Sequence, residues 1–192
     1  AYRRQRQMCI RDSGTTDKYF DSIEEGLLYA DKTENKGCVF TLVTSGKLKD
    51  NVTLSNGKFT ITANDYVTIY KRSDGLRITI DGADVIAEGY MLINCEIYVN
   101  SGSLTLPEGS STRFGDILIF GGTVNISEGV NADNNAGADK LIIANDKTGA
   151  KVTIGGGAYG NIYLGQLKFK DVLASGAVSY THLRAHETRH DL

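Results

Sequence analysis

Apolar residues in this chain recur two apart over most of its length. From Cys38 onward they form apolar-x-apolar triplets: Phe40 and Leu42, Val52 and Leu54, Phe59 and Ile61, Val67 and Ile69, Ile78 and Ile80, Ile97 and Val99, Leu104 and Leu106, Ile117 and Ile119, Val124 and Ile126, Leu141 and Ile143, Val152 and Ile154, Ile162 and Leu164, and Leu167 and Phe169. A period of two buries one face of a strand and leaves the other to solvent. The connectors are short and rich in Gly, Asn, Asp and Ser, as in Ser55-Asn56-Gly57, Asp81-Gly82, Asn100-Ser101-Gly102 and Gly121-Gly122. Such residues supply the positive φ that sharp corners need. Strands this short make a poor sandwich but fit the faces of a coil. Triplet centres recur from Thr53 to Thr79, Tyr98 to Leu118, Leu118 to Ile142, Thr105 to Asn125 and Asn125 to Thr153, an imperfect period of roughly 20 to 28 residues. That repeat predicts an all-β chain wound as a parallel β-helix, or β-solenoid.

One segment departs from the period of two. Asp17 to Asp31 places Phe20, Ile23, Leu27 and Ala30 on one helical face, and Ser22 and Glu25 have the spacing of a capping box. The spacing predicts a single short amphipathic helix ahead of the strands.

The two ends read differently from the body. Back-translating Met8-Cys9-Ile10-Arg11-Asp12-Ser13 gives a DNA string whose reverse complement encodes Val178-Ser179-Tyr180-Thr181-His182. One element read on opposite strands at opposite ends resembles the inverted mosaic end of a tagmentation library. The flanks Arg3 to Gln7 and Leu183 to Thr188 resemble translations of the adjoining primer arms. Residues 1–13 and 178–192 are therefore expected to be adapter-derived and are set aside from fold reasoning. Residues 14–177 form the expected solenoid domain, with Gly14 and Ala177 read as cut points in a longer protein.

Setting the ends aside changes the charge. They hold six of the 21 Lys+Arg and three of the 23 Asp+Glu, so the body carries 15 basic and 20 acidic residues, net −5. The arginine cluster at Arg3 to Arg11 loses its meaning as a nucleic-acid patch, and no nucleic-acid partner is expected. All three histidines, His182, His186 and His190, fall in the tail. The body thus offers no histidine base, relay or ligand. No apolar run approaches the ~20 residues of a membrane span.

Two cysteines remain, Cys38 and Cys95, both in apolar strand-like settings. The plain reading is two buried thiols packing as small apolar groups; the alternative is a disulfide from an oxidising compartment. Asn131 to Asp139 is rich in oxygen ligands, yet its spacing fits neither an EF-hand loop nor a glycine-rich nonapeptide, so it reads as a solvated loop. No metal and no cofactor are expected.

The run Phe20 to Ala30, then Val39-Phe40-Thr41-Leu42, Val52-Thr53-Leu54, Gly57 to Ile61 and Ile78-Thr79-Ile80-Asp81-Gly82, resembles the start of the right-handed parallel β-helix, pectin-lyase-like domains of large bacterial surface proteins. The resemblance implies a right-handed coil, a helix capping its open first turn, and an extracellular or cell-surface location. The polygalacturonase motifs of such folds, an Asn-Thr-Asp, an Asp-Asp pair, a Gly-His-Gly and an Arg-Ile-Lys, do not occur in the body, and Arg72, Arg77 and Arg113 sit in no lyase motif. Hydrolysis of a glycosidic bond needs two carboxylates roughly 5 to 9.5 Å apart. Asp81 and Asp84 are the nearest pair, and Asp81-Gly82 reads first as corner chemistry.

Binding is the remaining signal, and it points to no catalytic residue. Tyr66, Tyr70, Tyr90, Tyr98, Tyr159 and Tyr163 are amphipathic rings able to line a solenoid face and stack on sugars. Tyr66 and Tyr70 share a strand parity opposite to Val67 and Ile69 and should face outward. Tyrosine is also an ordinary strand former, and the chain has no Trp. Tyr66, Tyr70 and Tyr98 are the candidate binding residues. The expected function is a non-catalytic extracellular module, adhesin-like or a scaffold for a glycan or a host or cell-surface protein. The alternative is a piece of a polysaccharide lyase or glycoside hydrolase whose catalytic rungs lie elsewhere. No residue pattern points to an oligomeric state.

Overall fold

The computed structural model describes residues 8–12, 15–63, 65–71, 75–127, 137–144, 149–155 and 158–165. The Leu167–Phe169 triplet, the oxygen-rich Asn131 to Ala136 and the whole of Val178 to Leu192 lie outside them. Strands β1 (Met8–Asp12) and β2 (Thr15–Phe20) precede helix α1 (Ile23–Ala30) and a 3-10 turn at Thr33–Asn35. Then come β3 (Val39–Leu42), β4 (Gly46–Leu48), β5 (Val52–Leu54), β6 (Lys58–Ala63), β7 (Val67–Lys71), β8 (Arg77–Ala87) and β9 (Met91–Asn94). The series ends with β10 (Glu96–Leu106), β11 (Arg113–Ile119), β12 (Thr123–Ile126), β13 (Gly137–Ala144), β14 (Lys151–Ile154) and β15 (Ala158–Gly165).

From β3 onward the strands wind into a parallel solenoid of about 5 turns, and three parallel ladders form its sides. The first ladder runs β3, β6, the end of β8, the end of β10, β12 and β14. The second runs β4, β7, β9 and the starts of β11, β13 and β15. The third runs β5, the start of β8, the start of β10 and the ends of β11, β13 and β15.

The sequence explains why the coil closes on a dry interior. From Phe40 and Leu42 to Val124 and Ile126 each triplet presents its two apolar residues inward, and parallel pairing stacks them rung on rung, whereas Ile154 on β14 is left exposed. In the third ladder Val52, Ile78, Ile97, Ile117, Leu141 and Ile162 form one in-register buried row. In the second, Ile69, Ile93, Phe114 and Ala138 do the same, the large ring of Phe114 sitting beside the small Ala138. Pairing a large side chain with a small one is how neighbouring rungs share the interior volume. Neither Cys38 nor Cys95 forms a disulfide, and both are buried in this core. They pack as small apolar groups, and burial pushes the Cys95 thiol up to about 12.

The corner between the third and first ladders is built on stacked glycines. Gly82, Gly102 and Gly122 have φ of 121°, 78° and 69°. A Cβ on Gly82 would lie 2.5 Å from the Ser55 carbonyl oxygen, and one on Gly122 would lie 2.7 Å from that of Gly102. A Cβ on Gly102 would lie 2.8 Å from the Gly82 carbonyl carbon and closer still to the Ala83 oxygen. Successive corners approach so closely that no side chain fits between them.

Helix α1 lies against the first coil, packed on β3, β4 and β5 as well as β1 and β2. Its N-terminus is capped by Ser22, whose hydroxyl accepts the Glu25 N–H at 3.4 Å and donates to Glu24 Oε2 at 2.6 Å. Close contact is enforced by Gly26, where a Cβ would meet the Phe40 ring at 2.5 Å. The helix is shorter than the expected Asp17–Asp31, because Thr15–Phe20 is strand β2, paired antiparallel with β1. Thr15, Thr16, Tyr19 and Phe20 are β-branched or aromatic, and such residues take the strand once a partner strand is present.

Candidate functional site

The register of the second ladder decides what becomes of the tyrosines. Val67 pairs with Met91, so Tyr66 and Tyr90, one residue earlier on consecutive rungs, come together at the corner between the first and second ladders. Their ring centroids are 4.6 Å apart at an interplanar angle of 45°. Tyr66 is 54% and Tyr90 48% exposed. Val43, three residues before the Gly46–Ile69 pair, takes the same place on the preceding rung and is also exposed. An apolar ridge thus climbs this corner, with two aromatic rings open to solvent.

Tyr70 lies at the far end of β7, roughly 13 Å from Tyr66 at the usual rise per residue. It too is exposed, and it stands in a cross-rung row between Lys47 and Asn94. Aromatic ring, ammonium and amide side by side on a flat sheet can stack on a sugar face and hydrogen-bond its hydroxyls.

Tyr98 is placed apart from these. It lies on the third ladder, in register with Thr79 and Leu118. Its ring packs 5.5 Å from that of Phe120 and 4.8 Å from the Arg77 guanidinium. Burial, then the Glu96 carboxylate, push its hydroxyl up to about 12 against the opposing pull of Arg77. Tyr98 also borders an apolar cluster outside the coil. Leu118 and Ile142, at outward positions, are only 2% and 1% exposed and pack with Tyr98, Phe120 and Tyr163. The side chain of Tyr159 lies outside the described residues.

No family model, curated protein or solved structure matches the chain.

The remaining candidates resolve into structural roles. Ser101 Oγ donates to Asp81 Oδ1 at 2.9 Å and Ser103 Oγ to Asp84 Oδ1 at 2.7 Å. Asp81 and Asp84, the nearest pair to a hydrolytic arrangement, therefore tie one corner to the next beside the glycine ladder. Among the described residues no group of three or more His, Cys, Asp or Glu could hold a metal ion, and no helix is long and apolar enough to cross a membrane.

Two carboxylates that sequence reasoning passed over hold the helix to the coil. Glu24 Oε1 accepts the backbone N–H groups of Lys49 and, at 3.3 Å, Asp50. Asp31 accepts those of Ser55 at 2.9 Å, Asn56 at 3.0 Å and Gly57 at 2.8 Å. Seven residues apart, the two sit about two helical turns apart on one face. They satisfy the corners on either side of β5. Tyr90 was visible in sequence as well, since it precedes Met91-Leu92-Ile93 just as Tyr66 precedes Val67-Thr68-Ile69.

Proposed function

We propose that this chain is a non-catalytic β-helix module of an extracellular or cell-surface protein, a right-handed coil of the pectin-lyase-like kind, which binds a glycan through the ridge at Tyr66 and Tyr90 with Tyr70 beside it. The observation that carries the reading is the exposed, ring-to-ring Tyr66–Tyr90 pair. An apolar ring left half in water and repeated at the same corner on the next rung adds nothing to the core, yet it gives a sugar chain two successive stacking surfaces. Tyr98, partly covered and on another side, contributes to the outer packing of the third ladder instead. Asp81 and Asp84 are engaged in cross-rung hydrogen bonds, which favours a scaffold over hydrolysis.

A glycan array probed with the full chain tests this. Binding to at least one extended glycan is expected, weakened about tenfold by Tyr66→Ala or Tyr90→Ala and unchanged by Tyr98→Ala, since each stacked ring is worth on the order of 1 kcal/mol. Silence across neutral and acidic glycans, or equal loss in all three variants, would sink the reading.

A further inference from the structure

The corner that leads into β6 carries the chain's one Asn-Gly pair, Asn56-Gly57. In such a pair no side chain shields the glycine nitrogen, which can attack the asparagine amide carbon. Here the glycine is imposed by packing: a Cβ on Gly57 would lie 2.6 Å from the Asp31 Cα and 3.0 Å from the Ala30 carbonyl oxygen. The end of α1 seats so close to the corner that only glycine fits, and Asn56 beside it is exposed. The reactive nitrogen, however, is engaged. The Gly57 N–H donates to Asp31 Oδ1 at 2.8 Å in a buried bond, and the Asn56 N–H donates to the same oxygen at 3.0 Å. Asp31 is buried at the C-cap of α1, where the helix dipole opposes an anion. The corner it serves therefore holds the carboxylate there. An N–H bonded to a carboxylate resists losing its proton, because the charge left on nitrogen would face the charge on oxygen.

We infer that Asn56-Gly57 is a latent self-modification site, which closes to a succinimide when α1 lifts from the corner and is held unreactive by the Asp31 carboxylate while the helix is seated. The Gly57 nitrogen gives up its proton and bonds to the Asn56 Cγ; the Cγ–Nδ2 bond breaks, and Nδ2 takes up a proton and leaves as ammonia. Water then opens the ring at either carbonyl, giving aspartate or isoaspartate. Water is the only co-reactant, and nothing is oxidised or reduced. Either product places a new carboxylate beside that of Asp31. Isoaspartate also adds a backbone methylene to a corner pinned on both sides, by the Ser55 N–H bonded to Asp31 at 2.9 Å and by the Gly57 carbonyl, which accepts the Asp84 N–H at 2.8 Å. Both changes oppose reseating of the helix, so a lifting of α1 is recorded covalently. This chemistry is independent of glycan binding, which uses another corner.

The test ages the full chain at mildly alkaline pH and follows aspartate and isoaspartate at Asn56 by peptide mapping, against a synthetic peptide of residues 53–60 under the same conditions. The folded chain is expected to react roughly tenfold or more slowly than the peptide, since reaction waits on local opening. Asp31→Ala should raise the rate at Asn56 about tenfold or more. Asn100-Ser101, two rungs further along the third ladder, keeps its parent rate. A parent chain that reacts as fast as the peptide overturns the inference, as does an unchanged rate in Asp31→Ala, or equal acceleration at Asn56 and Asn100. Should Asp31→Ala lose its far-UV β signature, Asp31→Asn, which keeps an oxygen acceptor without the charge, supplies the same readout, and an unchanged rate at Asn56 there overturns the inference equally.

Discussion

At the scale of single residues, the corners are where this fold is least tolerant. Positive φ alone costs a side chain about 1–2 kcal/mol. Gly109 bears only that cost, since its φ is 76° and a Cβ there meets nothing within 4 Å. Gly102 bears a second one, because its Cβ would press into the backbone of Gly82 and Ala83 one rung below. Gly109→Ala should therefore lower unfolding free energy by about 1 kcal/mol, and Gly102→Ala by roughly 4 kcal/mol or more, read from denaturant midpoints at constant m. Equal effects would show that the corners are looser than their stacking implies. The sequence disclosed the first cost and hid the second. Gly beside Asp and Ser at Asp81-Gly82 and Ser101-Gly102 marks a corner, but the close approach comes only from stacking corners separated by a whole turn. The tyrosine ridge was likewise half visible: the outward parity of Tyr66 could be counted, whereas its contact with Tyr90 needed the register between β7 and β9.

At the scale of the element, α1 acts as a clamp. Eight residues make a marginal helix in isolation, so its stability comes from Ile23, Leu27 and Ala30 buried on the coil and from two anionic acceptors. Burial raises the pKa of the Glu24 carboxyl, but hydrogen bonds from the Ser22 hydroxyl and from the Lys49 and Asp50 N–H groups outweigh it and hold the group below its ordinary value of 4.5. A depressed folded pKa means stability that is fully present above the unfolded value and lost as pH falls through the folded one. Glu24→Gln should thus be less stable than the parent chain at neutral pH, and the gap should narrow as the pH drops below 4.5. Thermal melts across that range measure it, and a gap that widens in acid would contradict the clamp. Sequence reading found the helix and its Ser22 cap but extended it back to Asp17. Thr15 to Phe20, with no clear period of its own, serves a strand as well as a helix start, and only the presence of β1 decides between them. Glu24 and Asp31 were passed over because acidic residues near helix ends are common; what distinguishes these two is the pair of chain corners they meet.

At the scale of the whole molecule, the repeat was legible because the winding imposes it. Each of the spacings read from the triplets is a true ladder partnership: Thr53 with Thr79, Tyr98 with Leu118, Leu118 with Ile142, Thr105 with Asn125 and Asn125 with Thr153. The second ladder was the obscure one. β4 places Gly46 where a triplet would have an apolar residue, and β9 interposes Leu92 between Met91 and Ile93, which blurs the alternation. A stack of this kind touches only its neighbours, so its ends have fewer contacts than its middle and should open first. The buried thiols report this directly, since Cys38 belongs to the first coil and Cys95 lies between β9 and β10, with coils on both sides. In a chain carrying Cys9→Ser, a thiol reagent under native conditions should modify Cys38 well before Cys95, with rates normalised to the unfolded chain and sites located by mass spectrometry. Asp31→Ala then removes the acceptor for three backbone N–H groups at the first coil's corner, at a cost of about 2–3 kcal/mol. That corresponds to a roughly 30- to 150-fold faster labelling of Cys38, with Cys95 nearly unaffected. Equal acceleration at both sites would mean that the solenoid opens as one cooperative unit, and that the helix stabilises the whole stack instead of guarding its first turn.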